Sequence, residues 1–196
     1  DWVLILTARG LSAKTVINVH GLTSAAWKQA IKAGDTVINP FDGLAPKNRK
    51  LSEDIAVYLT PEQFRIIWEA TPIFYQPFVH CLAATGVRIS ELTALTVNNV
   101  DSEGSLIRIR QAWKKTAKPR VYALGEPKTL RGRRTVTVDP LTLSILMTAV
   151  EGKKPTDYVF TNKSGTALNY DHFYRNIWTD IVNELPVAQF PRRPRI

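Results

Sequence analysis

Residues 83–95 read Ala83-Ala84-Thr85-Gly86-Val87-Arg88-Ile89-Ser90-Glu91-Leu92-Thr93-Ala94-Leu95. A strongly apolar helix spanning Tyr75 to Thr85 stops at Gly86, the residue type that most readily takes the left-handed conformation just past a helix end. Ser90 then offers a side-chain oxygen to cap a new helix beginning with Glu91. Arg88 lies between the two helix ends in a mostly apolar neighbourhood. A planar guanidinium held rigidly at such a place suits bidentate capture of a phosphate. The stretch reads equally as a buried arginine paired to Glu91, and by itself it leaves both readings open.

A second informative stretch follows at Pro127-Lys128-Thr129-Leu130-Arg131-Gly132-Arg133-Arg134-Thr135-Val136. A lysine in a turn between strands, with arginines opening the next strand, points several donors at one spot. Out of context it would read as a solvated hairpin tip.

Around these two stretches the periodicity sets the elements. Ser12 caps a helix whose apolar positions Val16, Val19, Leu22, Ala26, Ala30 and Ala33 recur at spacings of three and four up to Gly34. Gly21 inside it costs about 1 kcal/mol of helix propensity. Pro40, Gly43, Pro46 and the run Lys47-Asn48-Arg49-Lys50 mark residues 40–57 as a connecting stretch. Thr60-Pro61-Glu62-Gln63 is a capping box with proline at the first helical position. Phe64, Ile67 and Trp68 form the buried stripe of that helix, and Pro72 closes it.

Beyond Arg88 the period changes. Leu106–Trp113, Arg120–Leu124 and Arg134–Val138 alternate or are β-branched, which predicts a three-stranded antiparallel sheet. Asp139-Pro140 opens a helix through Val150, Tyr158–Phe160 is a short extended run, and Asn169 introduces a last helix with the stripe Phe173, Ile177, Ile181 and Leu185. Helices, then a strand cluster, then helices give an α+β fold: a mostly helical domain with a small sheet.

Lys+Arg exceed Asp+Glu by 26 to 17, a net charge of +9, and the pI is near 9.8. The excess is local, at Lys114, Lys115, Lys118 and Arg120, then Lys128, Arg131, Arg133 and Arg134, then Arg192, Arg193 and Arg195. These cations fall on strands and loops, not on one amphipathic helix, which favours a groove for a polyanion over a membrane surface. An RNA-binding role lacks support, since neither an aromatic RNP pattern nor a Gly-x-x-Gly clamp is present. No apolar run reaches the roughly 20 residues of a membrane span. The single cysteine, Cys81, reads as a small core residue in a reducing cytoplasm. His20, His80 and His172 lack partners at metal-ligand spacing, and no phosphate-binding glycine loop is present, so neither a metal cofactor nor a nucleotide is expected.

Thr-Gly-x-Arg-x-Ser-Glu-Leu at 85–92 resembles the first box of the tyrosine recombinases, the phage-integrase type. Lys128, Thr129, Arg134 and Val136 are similar to that family's Lys-Thr-x-x-Ser-x-Arg-x-Val turn, with Gly132 where serine is usual. Leu11–Asn18 resembles the last long helix of the family's N-terminal core-binding domain, and Tyr58–Gln63 the opening of its catalytic domain. The resemblance covers the whole chain and implies three parts. Residues 1–45 would be the C-terminal part of the helical (SAM-like) core-binding domain, 46–57 a linker, and 58–196 the N-terminal part of the catalytic domain.

The activity the resemblance implies is site-specific recombination, integrating phage DNA through a 3′-phosphotyrosine intermediate with no cofactor. Arg88 and Lys128 would be catalytic and converge on one phosphate. Glu91 would brace Arg88, and Lys14, Thr15, Asn18, Thr129, Arg131, Arg133 and Arg134 would contact DNA. The partner would be duplex DNA at attachment sites, bound by a tetramer, on the nucleoid of a bacterial host.

One departure matters. The family's His-x-Leu-Arg-His box is expected after a basic turn like Pro191–Ile196, where this sequence stops. None of the six tyrosines stands at the nucleophile's position, so this stretch alone is expected to be inactive. A non-catalytic DNA-binding remnant of an integrase is the alternative.

Overall fold

The computed structural model describes residues 2–44, 58–116, 121–126 and 132–194. It comprises two compact units, Asp1–Ala56 and Val57–Ile196. In the first unit, α1 (Trp2–Ala8) precedes α2 (Ala13–Ala33). The Ser12 hydroxyl caps α2 by accepting from the Thr15 backbone N–H, and Gly34 closes it at φ 84°. The helix runs unbroken through Gly21. The His20 ring stacks on Trp2 at 5.9 Å, and Phe41 meets Trp2 edge-on at 5.5 Å. Asn39 is buried and donates its amide to Ser24 and Asp42. Residues 40–44, read from their breakers as the start of a connecting stretch, therefore belong to the first unit, held there by the Phe41 ring. The rest of that stretch, 45–57, lies outside the described residues.

The second unit begins with α3 (Pro61–Ala70), whose reciprocal capping box joins Thr60 and Gln63. A 3₁₀ turn at Ile73–Tyr75 leads into α4 (Gln76–Thr85) and then α5 (Ile89–Leu92). The strands are β1 (Val100–Asp101), β2 (Leu106–Ile109), β3 (Ala112–Lys115), β4 (Tyr122–Gly125) and β5 (Arg134–Thr137). Helix α6 (Pro140–Val150) is capped by Asp139, and α7 (Tyr170–Phe173) by Asn169. A π-helical segment, Tyr174–Trp178, connects α7 to α8 (Thr179–Glu184). Ile67, Phe78, Leu92, Ile107, Ile109, Leu146, Phe173 and Ile181 form a continuous core, with Phe78 edge-on to both Phe160 and Phe173.

The sheet differs from the sequence expectation. Its three antiparallel strands run β1-β2-β5, and β3 pairs with β4 as a separate hairpin. The run 106–113 breaks at Arg110-Gln111 because the Gln111 side chain donates to the Ala94 carbonyl at 2.9 Å. Trp113 donates to the Thr93 carbonyl at 3.3 Å, so the second half of the run is anchored on the chain after α5. The two-residue strand β1 was too short to show alternation.

Candidate phosphate-binding site

Helix α4 ends at Gly86, whose φ of 60° turns the chain while its N–H caps the Leu82 carbonyl. Val87 is buried, and Arg88 is extended (φ −61°, ψ 142°), placing it at the N-cap of α5. The cap expected at Ser90 is thus two residues earlier. The capping oxygen comes from Glu91, whose Oε2 accepts from the Arg88 backbone N–H at 3.3 Å. The carboxylate accepts from the N–H of the cap residue itself, whereas a serine at the cap would accept from an N–H inside the first turn.

Glu91 is the pivot of the site. Its side chain is 2% exposed, yet each oxygen holds a guanidinium: Arg88 Nη1 donates to Oε1 at 2.9 Å and Arg134 Nη2 to Oε2 at 2.8 Å. Burial pushes the Glu91 carboxyl up, but the hydrogen bonds from Arg134 and Arg88 together outweigh it, leaving the group below its ordinary range. A buried carboxylate with two cationic donors stays ionised. Arg88 itself is 70% exposed. The two readings left open by the sequence thus merge: Arg88 is paired to Glu91, and its guanidinium still faces solvent with donors to spare.

Arg134 opens β5 opposite Ile109 of β2. Besides Glu91 it reaches the Gly132 carbonyl at 3.4 Å. This joins the start of β5 to α5, a contact that sequence spacing did not reveal. Lys128, Thr129 and Arg131 lie outside the described residues. Arg133 is half-exposed and paired with Glu126 at 2.5 Å.

The other basic positions divide in two. Lys114 and Arg192 are exposed. Lys115 is bound to Asp171 at 3.1 Å, with its ammonium over the Tyr122 ring, 5.4 Å from the centroid. Arg193 donates to the Val182 and Leu185 carbonyls at the end of α8, where a cation meets unsatisfied acceptors and the helix dipole. In the first unit, Lys14 and Asn18 are exposed one turn apart on α2, and the Thr15 hydroxyl bonds with Ser12 at 2.8 Å. Among the described residues no helix is long and apolar enough to cross a membrane.

A helical α+β unit with small antiparallel sheets and an exposed arginine on a buried carboxylate has the fold of the recombinase catalytic domain. The sequence profile of the phage integrase family matches residues 58–189, and the chain belongs to that family. No curated protein matches. Among solved structures, the integrase of transposon Tn1549 bound to transposon right end DNA superposes with a TM-score of 0.80 at 23% identity. That match covers 93% of this chain and 62% of the other. The same integrase with a circular intermediate DNA gives a TM-score of 0.81 at 22% identity, covering 99% and 65%. A lambda integrase tetramer bound to a Holliday junction gives 0.59 at 16% identity, covering 91% and 49%. At these identities the likeness is one of fold. The chain spans 62% to 65% of the length of the Tn1549 integrase chains.

Proposed function

We propose that the chain is the arginine-box part of a tyrosine-type site-specific recombinase that integrates phage DNA. The observation that carries this reading is the presentation of Arg88, a solvent-facing guanidinium fixed on a buried carboxylate within the family-matched residues. In this reading a tyrosine oxygen attacks a DNA phosphorus, a 3′-phosphotyrosine forms and the bond to the 5′ oxygen breaks. Lys128 protonates that leaving oxygen. The 5′-hydroxyl of a partner strand then reverses the step. One phosphoester replaces another at each stage, so neither a nucleotide nor a metal has to supply energy. Arg88 stabilises charge on the non-bridging oxygens, the contribution on which phosphoryl transfer most depends.

Glu91 braces Arg88. Lys14, Thr15 and Asn18 contact duplex DNA from α2, and Thr129, Arg131 and Arg133 contact it from the turn before β5. The first unit is the C-terminal part of a core-binding domain, and the assembly on DNA is a tetramer. That the Tn1549 integrase is bound to DNA, and the lambda integrase to a Holliday junction as a tetramer, supports duplex DNA as the partner.

The nucleophile lies outside this sequence. In support, Tyr75 is buried, and Tyr170 and Tyr174 pack on each other at 5.8 Å. The test is incubation with a nicked attachment-site duplex, followed by denaturing electrophoresis for a covalent protein–DNA adduct. The 196-residue chain forms none. A protein that also carries the His-x-Leu-Arg-His box and the tyrosine forms one. In that longer protein Arg88→Lys abolishes the adduct and leaves DNA affinity nearly intact, because an ammonium cannot hold two phosphate oxygens. An adduct from the 196-residue chain would place the nucleophile among its own tyrosines. No adduct from the longer protein would leave only a DNA-binding module.

A further inference from the structure

Arg134 faces the same carboxylate as Arg88, from the opposite side. Its Nη2 holds Glu91 Oε2 at 2.8 Å, its Nη1 reaches the Gly132 carbonyl at 3.4 Å, and its side chain is only 31% exposed. Two groups on different elements thus share one guanidinium: the buried acid of α5 and the backbone at the end of the turn that leads into β5. That geometry uses two of the five N–H donors of a mostly covered side chain, whereas Arg88, 70% exposed, spends one side-chain donor on Glu91.

We propose that Arg134 is a positioning residue and not a DNA contact: it fixes Glu91 from the sheet side, so that Glu91 in turn holds the Arg88 guanidinium in one orientation. The proposal rests on the reading of Arg88 as a phosphate-holding group. Without Arg134 the carboxylate would be held by Arg88 alone, through Nη1 on Oε1 at 2.9 Å and the longer backbone N–H bond on Oε2 at 3.3 Å. With both oxygens engaged on opposite sides, it cannot turn without breaking a charge-assisted hydrogen bond. Arg134 is also the first residue of β5. Register pairs Arg134 with Ile109, which is fully buried, so the strand start is fixed by the core on one side and by Glu91 on the other.

The test is arginine-selective ¹⁵N NMR on the 196-residue chain, comparing wild type with Arg134→Gln and Arg134→Lys. In the wild type the Arg88 Nη groups exchange slowly by rotation about Cζ–Nε. In Arg134→Gln that rotation accelerates roughly tenfold, the effect of weakening one charge-assisted hydrogen bond. Arg134→Lys, which keeps the charge, restores part of the slowing, and the backbone amide spectrum away from the site stays unchanged. If Arg134→Gln does not fold, Arg134→Lys against wild type decides the point by the same signal.

A second arm measures duplex binding against salt. Arg134→Gln leaves the slope of log K against log salt unchanged, whereas loss of a direct phosphate contact lowers it by about one. An unaltered Arg88 signal, or a slope reduced by about one, overturns the proposal. If wild-type chain binds no duplex at all, the functional reading fails and the NMR arm still decides the role of Arg134.

Discussion

Replacing Glu91 with alanine removes the acceptor of three donors: the Arg88 backbone N–H, Arg88 Nη1 and Arg134 Nη2. The arms are not equal. The Arg88 guanidinium is 70% exposed, so its pairing counts as a surface ion pair of about 0–1 kcal/mol. Arg134 is 31% exposed, and its arm carries about 2–4 kcal/mol, somewhat under the range for breaking a fully buried pair. Adding the lost cap of α5, about 1 kcal/mol, gives a total of about 3–6 kcal/mol. Across a domain of this size that lowers Tm by roughly 10–20 °C. The same reasoning orders the single variants. Arg134→Met, which strands a buried carboxylate, costs about 2–4 kcal/mol, and Arg88→Met less than about 1 kcal/mol. Urea unfolding followed by circular dichroism measures all three, with an unchanged m-value as the check that only native-state stability has moved. A cost below about 1 kcal/mol for Glu91→Ala, or equal costs for the two arginine variants, would refute the account of Glu91 as a buried pivot.

Acid titration gives a second expectation. Because the folded-state Glu91 carboxyl lies below its ordinary range, its contribution is fully present above the unfolded-state value and disappears as pH falls through the folded one. Glu91→Gln therefore flattens the acid limb of the stability profile, and an unchanged limb would show that Glu91 is not ionised in the fold. Cys81 has no exposed surface, and burial, helped by the Asp139 charge, pushes its thiol up to about 12. In the native chain iodoacetamide should leave it unmodified at pH 8, while in urea it reacts fully. Rapid native alkylation would mean that α4 opens locally.

Much of the fold was legible because it rests on local rules. Gly86 at a positive φ, the Thr60–Gln63 capping box, and the caps at Asp139 and Asn169 all stand where side-chain chemistry alone puts them. The parts that were not legible depend on contacts distant in sequence. Strand β3 leaves the sheet because Gln111 and Trp113 bond to carbonyls after α5, and no alternation pattern encodes that. Residues 40–44 read as connecting chain from Pro40 and Gly43, yet the Phe41 ring packs on Trp2 and His20. At the site, the Arg88–Glu91 pair was foreseeable from a spacing of three residues on a helix start. The pairing of Glu91 with Arg134 joins two elements far apart in the chain, and no local pattern encodes it. Arg193, read as part of a basic surface, is instead spent on the carbonyls of α8.

The central claim, that this chain presents a cationic face to the phosphates of duplex DNA, is tested most directly by its salt-dependent binding. Fluorescence anisotropy of a labelled duplex is measured with the 196-residue chain across a salt series. The account predicts a slope of log K against log salt of roughly −3 to −5, that is, about three to six phosphates neutralised. A slope shallower than about −2 would mean that fewer than about two phosphates are engaged, and would contradict the account.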